Sequence, residues 1–170
     1  MKRWAFLLGS IFLGVLWGSI VLAQTESHKG SHDAASQGAS YSVRTLPLPD
    51  NNAGDVSMDY IGYDPGTNSV WVPGGNTGAV DVVDVATGKV RQIPGFATKE
   101  VEGRNGKRIF GPTAVSIGEG VVYIGNRGDS TVCAFDARTL MRGACGHLDA
   151  VPDGVSYVAP TKEEIGRAHV

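Results

Sequence analysis

Aromatic residues are scarce in this chain, at 8%, and cysteine occurs only twice, as Cys133 and Cys145. Neither charge sign prevails: 15 Lys and Arg against 17 Asp and Glu leave a formal net charge of -2. That balance excludes a broad basic field of the kind that holds nucleic acid or an anionic membrane surface. Reactive signatures are missing as well. The chain has no Gly-x-Ser-x-Gly elbow, no His-Glu-x-x-His, no Cys-x-x-Cys and no Cys-x-x-Cys-His haem attachment. Gly74-Gly75-Asn76-Thr77-Gly78 is not a phosphate loop, because neither a lysine nor a helix follows it. No catalytic residue is therefore assigned, and no cofactor is identified. Glycine, by contrast, is plentiful, at 24 of 170 residues, between short β-branched runs. That combination predicts a one-domain, all-β chain with many tight turns.

The first residues follow a different logic. Lys2 and Arg3 precede an apolar run from Trp4 to Leu22, broken only by glycines and serines, and Val21-Leu22-Ala23 offers small or modest residues to a signal peptidase. Residues 1–23 are read as a secretory signal peptide cleaved after Ala23. The alternative is a retained anchor, because the run approaches the roughly 20 residues a membrane span needs. No lipobox cysteine is present. Membrane contact is expected through this segment alone. Export predicts a periplasmic or secreted protein in an oxidising compartment, which makes Cys133 and Cys145 disulfide candidates. Residues 24–40 are polar, lack an apolar period and read as a disordered linker.

From Tyr41 the text becomes strands and turns. Ser57–Tyr63 alternates and ends at Asp64-Pro65-Gly66. Ser69–Val72 ends at Pro73-Gly74-Gly75-Asn76, Ala79–Asp84 at Ala86-Thr87-Gly88, and Lys89–Ile93 at Pro94-Gly95. Four antiparallel strands joined by tight turns make one blade of a β-propeller. The pattern then recurs. Val70-Trp71-Val72 matches Val122-Tyr123-Ile124, and Gly75-Asn76 matches Gly125-Asn126. Val80, Asp84 and Thr87 return at one fixed offset as Val132, Asp136 and Thr139. A third copy opens at Pro152-Asp153-Gly154-Val155-Ser156-Tyr157, which echoes Gly111–Ser116. Phe96–Phe110 is a polar, charged insertion between the first two copies. The fold expected is a β-propeller fragment: blade 1 over about 57–94, blade 2 over about 113–145, and the start of blade 3 at 152–163. Blades cover one another's faces, and Trp71 and Tyr123 would fill the same space between successive blades. Asp84 and Asp136 would accept backbone N–H bonds in the turns that follow them.

The run Val70-Trp71-Val72-Pro73-Gly74-Gly75-Asn76, followed by Val80-Asp81-Val82-Val83-Asp84-Val85-Ala86-Thr87-Gly88-Lys89-Val90, resembles the YVTN-type repeat. Val122–Asn126 with Val132–Asp136 looks like a second copy. The chain is similar to the YncE-like group of exported bacterial propellers over Met58–Glu163. It departs from the motif at Pro73 and Gly125, where the repeat has threonine. The resemblance implies about seven blades in a full-length member, roughly 300 residues at ~40 per blade. Two blades alone would leave sheet edges and one face uncovered, and such a chain is expected to be poorly soluble or partly unfolded. Glu164–Val170 back-translates into a common sequencing-library adapter, so residues 164–170 are read as foreign to the fold. The alternative is a natural helical tail.

Several residues could carry chemistry. Cys133 and Cys145 fall opposite each other across a hairpin centred near Thr139, close enough for a disulfide. His28 and His32, with Asp33 and Glu26 nearby, form a weak metal candidate inside the linker, where no helix aligns the rings. The turns between second and third strands, and the connections between blades, gather on one propeller face. That face holds the ligand-binding candidates Asn76, Asn126, Arg127 and Asp129, beside the charged insertion Lys99–Arg108. Asn and Gly in such loops also serve turns needing positive φ. Arg127 stands apart, because a turn has no use for a guanidinium. The function expected is a ligand- or protein-binding scaffold, whose partner is a protein, a glycan or a small molecule. The alternative is a propeller enzyme, quinone-dependent dehydrogenase-like or lactonase-like, with its catalytic residues on other blades.

Overall fold

The computed structural model describes residues 40–49, 55–104 and 106–169. The chain divides into two units, Met1–Ser42 and Val43–Val170. Only residues 40–42 of the first unit are described, so the signal segment 1–23, His28 and His32 lie outside the described residues. Every element below belongs to the second unit.

The described residues are all-β, as the turn-punctuated text implies. Blade 1 is a four-stranded antiparallel sheet in the order β1 (Gly62–Asp64), β2 (Ser69–Gly74), β3 (Ala79–Asp84) and β4 (Val90–Ile93). A two-stranded hairpin of β5 (Lys99–Gly103) and β6 (Gly106–Phe110) follows. Blade 2 repeats the first sheet with β7 (Pro112–Gly118), β8 (Val121–Asn126), β9 (Thr131–Asp136) and β10 (Arg142–His147). A last antiparallel pair joins β11 (Val151–Val158) to β12 (Glu163–His169).

Several boundaries differ from the sequence reading. The first strand is Gly62–Asp64 rather than Ser57–Tyr63. Glu163–His169, read from 164 on as foreign to the fold or as a helical tail, pairs with β11 as a strand. Pro73 and Gly74 belong to β2 and pair with Val80 and Ala79. A proline is tolerated there because β1 pairs only with Ser69, Val70 and Trp71, so no ladder on that side needs the missing N–H at Pro73. The insertion forms a hairpin rather than a plain loop. Its turn is closed by the pair Gly103 and Gly106, the latter at φ 104°, and Lys107 Nζ meets Glu100 Oε1 at 2.6 Å across its exposed face.

The sequence repeat is a backbone repeat. Trp71 pairs with Val82 as Tyr123 pairs with Ala134. Left-handed residues recur at matched places: Asn68 with Gly120, Gly78 with Ser130, and Gly88 with Leu140. The turn bonds Gly88 N–H to Asp84 O (2.8 Å) and Leu140 N–H to Asp136 O (2.9 Å) correspond. Asp84 and Asp136 close those turns. Asp84 Oδ1 accepts from Thr87 N and Oγ1, each at 2.8 Å, and Asp136 Oδ1 accepts from Thr139 N at 2.7 Å and Oγ1 at 2.8 Å. These bonds hold both carboxyls below their ordinary pKa.

The blades meet through side chains. Trp71, Val80 and Val82 of blade 1 form one buried cluster with Val115, Val122, Ile124, Cys133 and Phe135 of blade 2. Trp71 is 0% exposed, and full burial of a large apolar side chain contributes ~1.5–3 kcal/mol. Its Nε1 donates to Ser69 Oγ at 3.2 Å, and Ser69 Oγ meets Thr67 Oγ1 at 2.7 Å. Thr67 Oγ1 donates in turn to the buried Asp64 at 2.6 Å, so the indole polar edge is satisfied. Phe96, from the insertion, packs on Phe135 with ring centroids 5.7 Å apart. The segment leading into β1 meets β7 in a parallel bridge: Tyr60 N–H donates to Thr113 O, and Val115 N–H donates to Tyr60 O, each at 3.0 Å.

Candidate functional site

β1, β7 and β11 enter their sheets at the end where β2 and β8 leave theirs. Two matched bonds bind that end together: Gly75 N–H to Ser57 O at 2.8 Å, and Arg127 N–H to Gly111 O at 2.9 Å. Arg127 thus takes in blade 2 the place Gly75 takes in blade 1. A cavity of about 280 Å³ lies between these corners, lined by Ser57, Met58, Asp59 and Gly75 on one side and Arg108, Phe110, Gly111, Thr113 and Arg127 on the other. The backbones approach closely here. A Cβ on Gly111 would collide with the Gly75 carbonyl oxygen, which is why glycine stands at 111.

Arg127 dominates this cavity. Its guanidinium carbon stands 4.1 Å from the centroid of the Phe110 ring, and Nη1 lies 3.8 Å from Asp153 Oδ1. Both charged side chains are largely covered, at 18% and 14% exposure. Arg127 Nε is buried with no hydrogen-bond partner. Arg108 approaches the same Phe110 ring at 5.6 Å. Asp59 accepts only a long bond, 3.5 Å, from Thr113 Oγ1. Two guanidinium groups beside one aromatic ring, with Arg127 Nε left without a partner, form a site for an anion or a strong acceptor.

The other binding candidates lie on the same face but turn inward to the scaffold. Asn76 Oδ1 accepts from Ser57 N at 2.8 Å, and its Nδ2 donates to Asp55 O at 3.0 Å. Asn126 is 2% exposed, accepts from Gly128 N at 3.0 Å and donates to Ala97 O at 3.1 Å. Asp129 Oδ1 accepts from Thr131 Oγ1 at 2.7 Å. Of the four candidates, only Arg127 borders the cavity. Phe110, Arg108 and Asp59 border it too, Asp153 pairs with Arg127 beside it, and of these only Arg108, in the charged stretch of the insertion, was grouped with the candidates in the sequence. One signal pointed to the place, a guanidinium in a turn that has no use for one. The Gly75-Asn76 and Gly125-Asn126 match is out of register, because Asn126 pairs in β8 where Gly74 pairs in β2.

Cys133 and Cys145 are paired across β9 and β10 and joined as a disulfide, with Cα atoms 4.0 Å apart. The Arg142 side chain donates to both sulfurs, at 3.1 Å from Nε and 3.0 Å from Nη2. Among the described residues, no three His, Cys, Asp or Glu side chains converge as a metal site.

No protein-family model matches this chain, and no curated protein matches it either. Among solved structures, it is similar to hydrazine synthase from Kuenenia stuttgartiensis, with TM-score 0.52 and 15% identity over 77% of this chain and 33% of that one. It also matches apo AztD from Citrobacter koseri, with TM-score 0.45 and 13% identity over 68% of this chain and 28% of that one. This chain spans about a third of the hydrazine synthase chain. That first likeness is to a β-propeller-type fold, and the chain is a β-propeller fragment.

Proposed function

We propose that the chain belongs to an exported propeller of the YVTN-repeat, YncE-like kind, a binding scaffold of the periplasm, the cell envelope or the medium. Its ligand face is the one where blades enter and second strands leave, and Arg127 is the residue that contacts the ligand. One observation carries this reading: a guanidinium stacked on Phe110, largely covered, with Nε short of an acceptor beside a cavity. A buried donor without a partner costs about 1–3 kcal/mol, which a fold retains where a ligand supplies the acceptor. The rigid sheets place this donor, as expected of a site built on a scaffold. The apolar leader and the disulfide support export.

The test has two parts. Expression in a Gram-negative host, with fractionation and N-terminal sequencing, should recover the chain outside the cytoplasm and starting at Gln24. A thermal-shift panel of sugars, organic acids, amino acids and nucleotides should contain a compound that raises the Tm of the wild type but not of Arg127→Gln. A cytoplasmic product, or shifts equal in both proteins, would overturn the reading.

A further inference from the structure

We infer that the Arg127 cavity takes a small hydroxylated carboxylic acid, of the size and chemistry of a sugar acid. This rests on the binding role proposed for Arg127 and adds the class of ligand. Three features select that class. The guanidinium carbon lies over the Phe110 ring, and Nε has no partner, so a ligand is drawn to the N–H donors. A carboxylate matches those donors, because its two oxygens accept parallel N–H bonds from one guanidinium fork. Arg108, beside the same ring, adds a second positive charge on the cavity wall.

Negative charge limits how much anion the site accepts. Asp153 stands 3.8 Å from Arg127, and Asp59 borders the same cavity. Two carboxylates beside two guanidinium groups favour one negative charge on the ligand and disfavour a doubly charged phosphate. Asp59 has acceptor capacity beyond its 3.5 Å bond to Thr113. A hydroxyl group on the ligand supplies the donor that Asp59 lacks. The cavity, about 280 Å³, lies at the small end of ligand pockets, which suits a monosaccharide-sized acid.

Isothermal titration of the purified chain with D-galacturonate, D-galactose and inorganic phosphate in low-salt buffer tests this. Galacturonate should bind, galactose should give no heat, and phosphate should bind at least tenfold more weakly. Arg127→Gln should weaken galacturonate at least tenfold, and Arg127→Lys, which keeps the charge and loses the fork, should also weaken it. Circular dichroism melts would show that both variants fold. Galactose binding as tightly as galacturonate, or indifference to both substitutions, would overturn the inference. Phosphate as tight as galacturonate would overturn the limit to one negative charge and with it the ligand class. A neutral or cationic compound that binds through Arg127 while galacturonate does not would overturn the ligand class and leave the scaffold reading standing. Silence from every compound tested would overturn both.

Discussion

Trp71 and Tyr123 occupy the same place in consecutive blades, and each is turned toward the blade that follows. Trp71 lies in the cluster with Val122, Ile124 and Phe135, and Tyr123 stacks on Tyr157 with ring centroids 5.9 Å apart and planes at 11°. Each ring closes the gap between two sheets that could not bury both faces alone. Trp71→Ala should therefore cost roughly 3–5 kcal/mol, the range for deleting a buried large aromatic. Trp71→Tyr, which installs the residue of the sister blade, should cost clearly less. Urea unfolding with unchanged m-values would measure both.

The repeat was legible because its positions carry distinct chemical demands. Asp84 and Asp136 mark turns by bonding to Thr87 and Thr139, and alternate valines mark the buried faces. The hairpin of β5 and β6 was not legible. Its residues are charged and exposed on both faces, so no alternation separates strand from loop. Phe110 escaped notice for a related reason. Its value lies in a ring under two arginines from different elements, and no local pattern encodes that encounter. The strand boundary at Pro73 was hidden because proline reads as a breaker until the shortness of β1 is known.

A matched pair of turn positions gives the second prediction. Ser130 adopts φ 56° where blade 1 has Gly78 at φ 68°. A side chain in this region costs about 1–2 kcal/mol of backbone strain. Ser130→Gly should raise stability by up to ~1 kcal/mol, after the greater entropy of the unfolded glycine chain offsets part of the relief. Gly78→Ala should lower it, because the new Cβ would sit 2.9 Å from Phe96 O. Thermal melts of the two variants should move in opposite directions.

Glu164 gives the third. It pairs with Tyr157 in β12, the place that Val122 takes in β8 opposite Ile117. Burial pushes the carboxyl up to about 7, against a smaller downward pull from the Ser116 hydroxyl. A raised carboxyl pKa means that the unfolded chain loses its proton first. Stability therefore falls as pH rises from about 4.5 to 7 and levels off above. Glu164→Val should abolish that slope and raise Tm, with the gain over wild type widening between pH 4.5 and 7. A gap constant with pH would contradict the burial of this carboxyl.

The disulfide gives the fourth. It closes a loop with a sequence separation of 12 and ties the exposed edge strand β10 to β9. Loops near that length are worth about 2–3 kcal/mol when cross-linked. Reduction, or Cys145→Ser, should lower Tm by several degrees, and the intact mass without reductant should show no free thiol.

The account rests above all on two sheets lying side by side with their inner edges hydrogen-bonded. Amide hydrogen exchange at Tyr60 and Val115 reads that contact directly, since among the described residues these two N–H groups link the segment entering β1 to β7 through Thr113 O and Tyr60 O. Both should be as protected as amides inside β2 and β8 and should open with them as one unit. Exchange of either amide at the rate of an exposed loop, while β2 and β8 stay protected, would show that the blades fold apart.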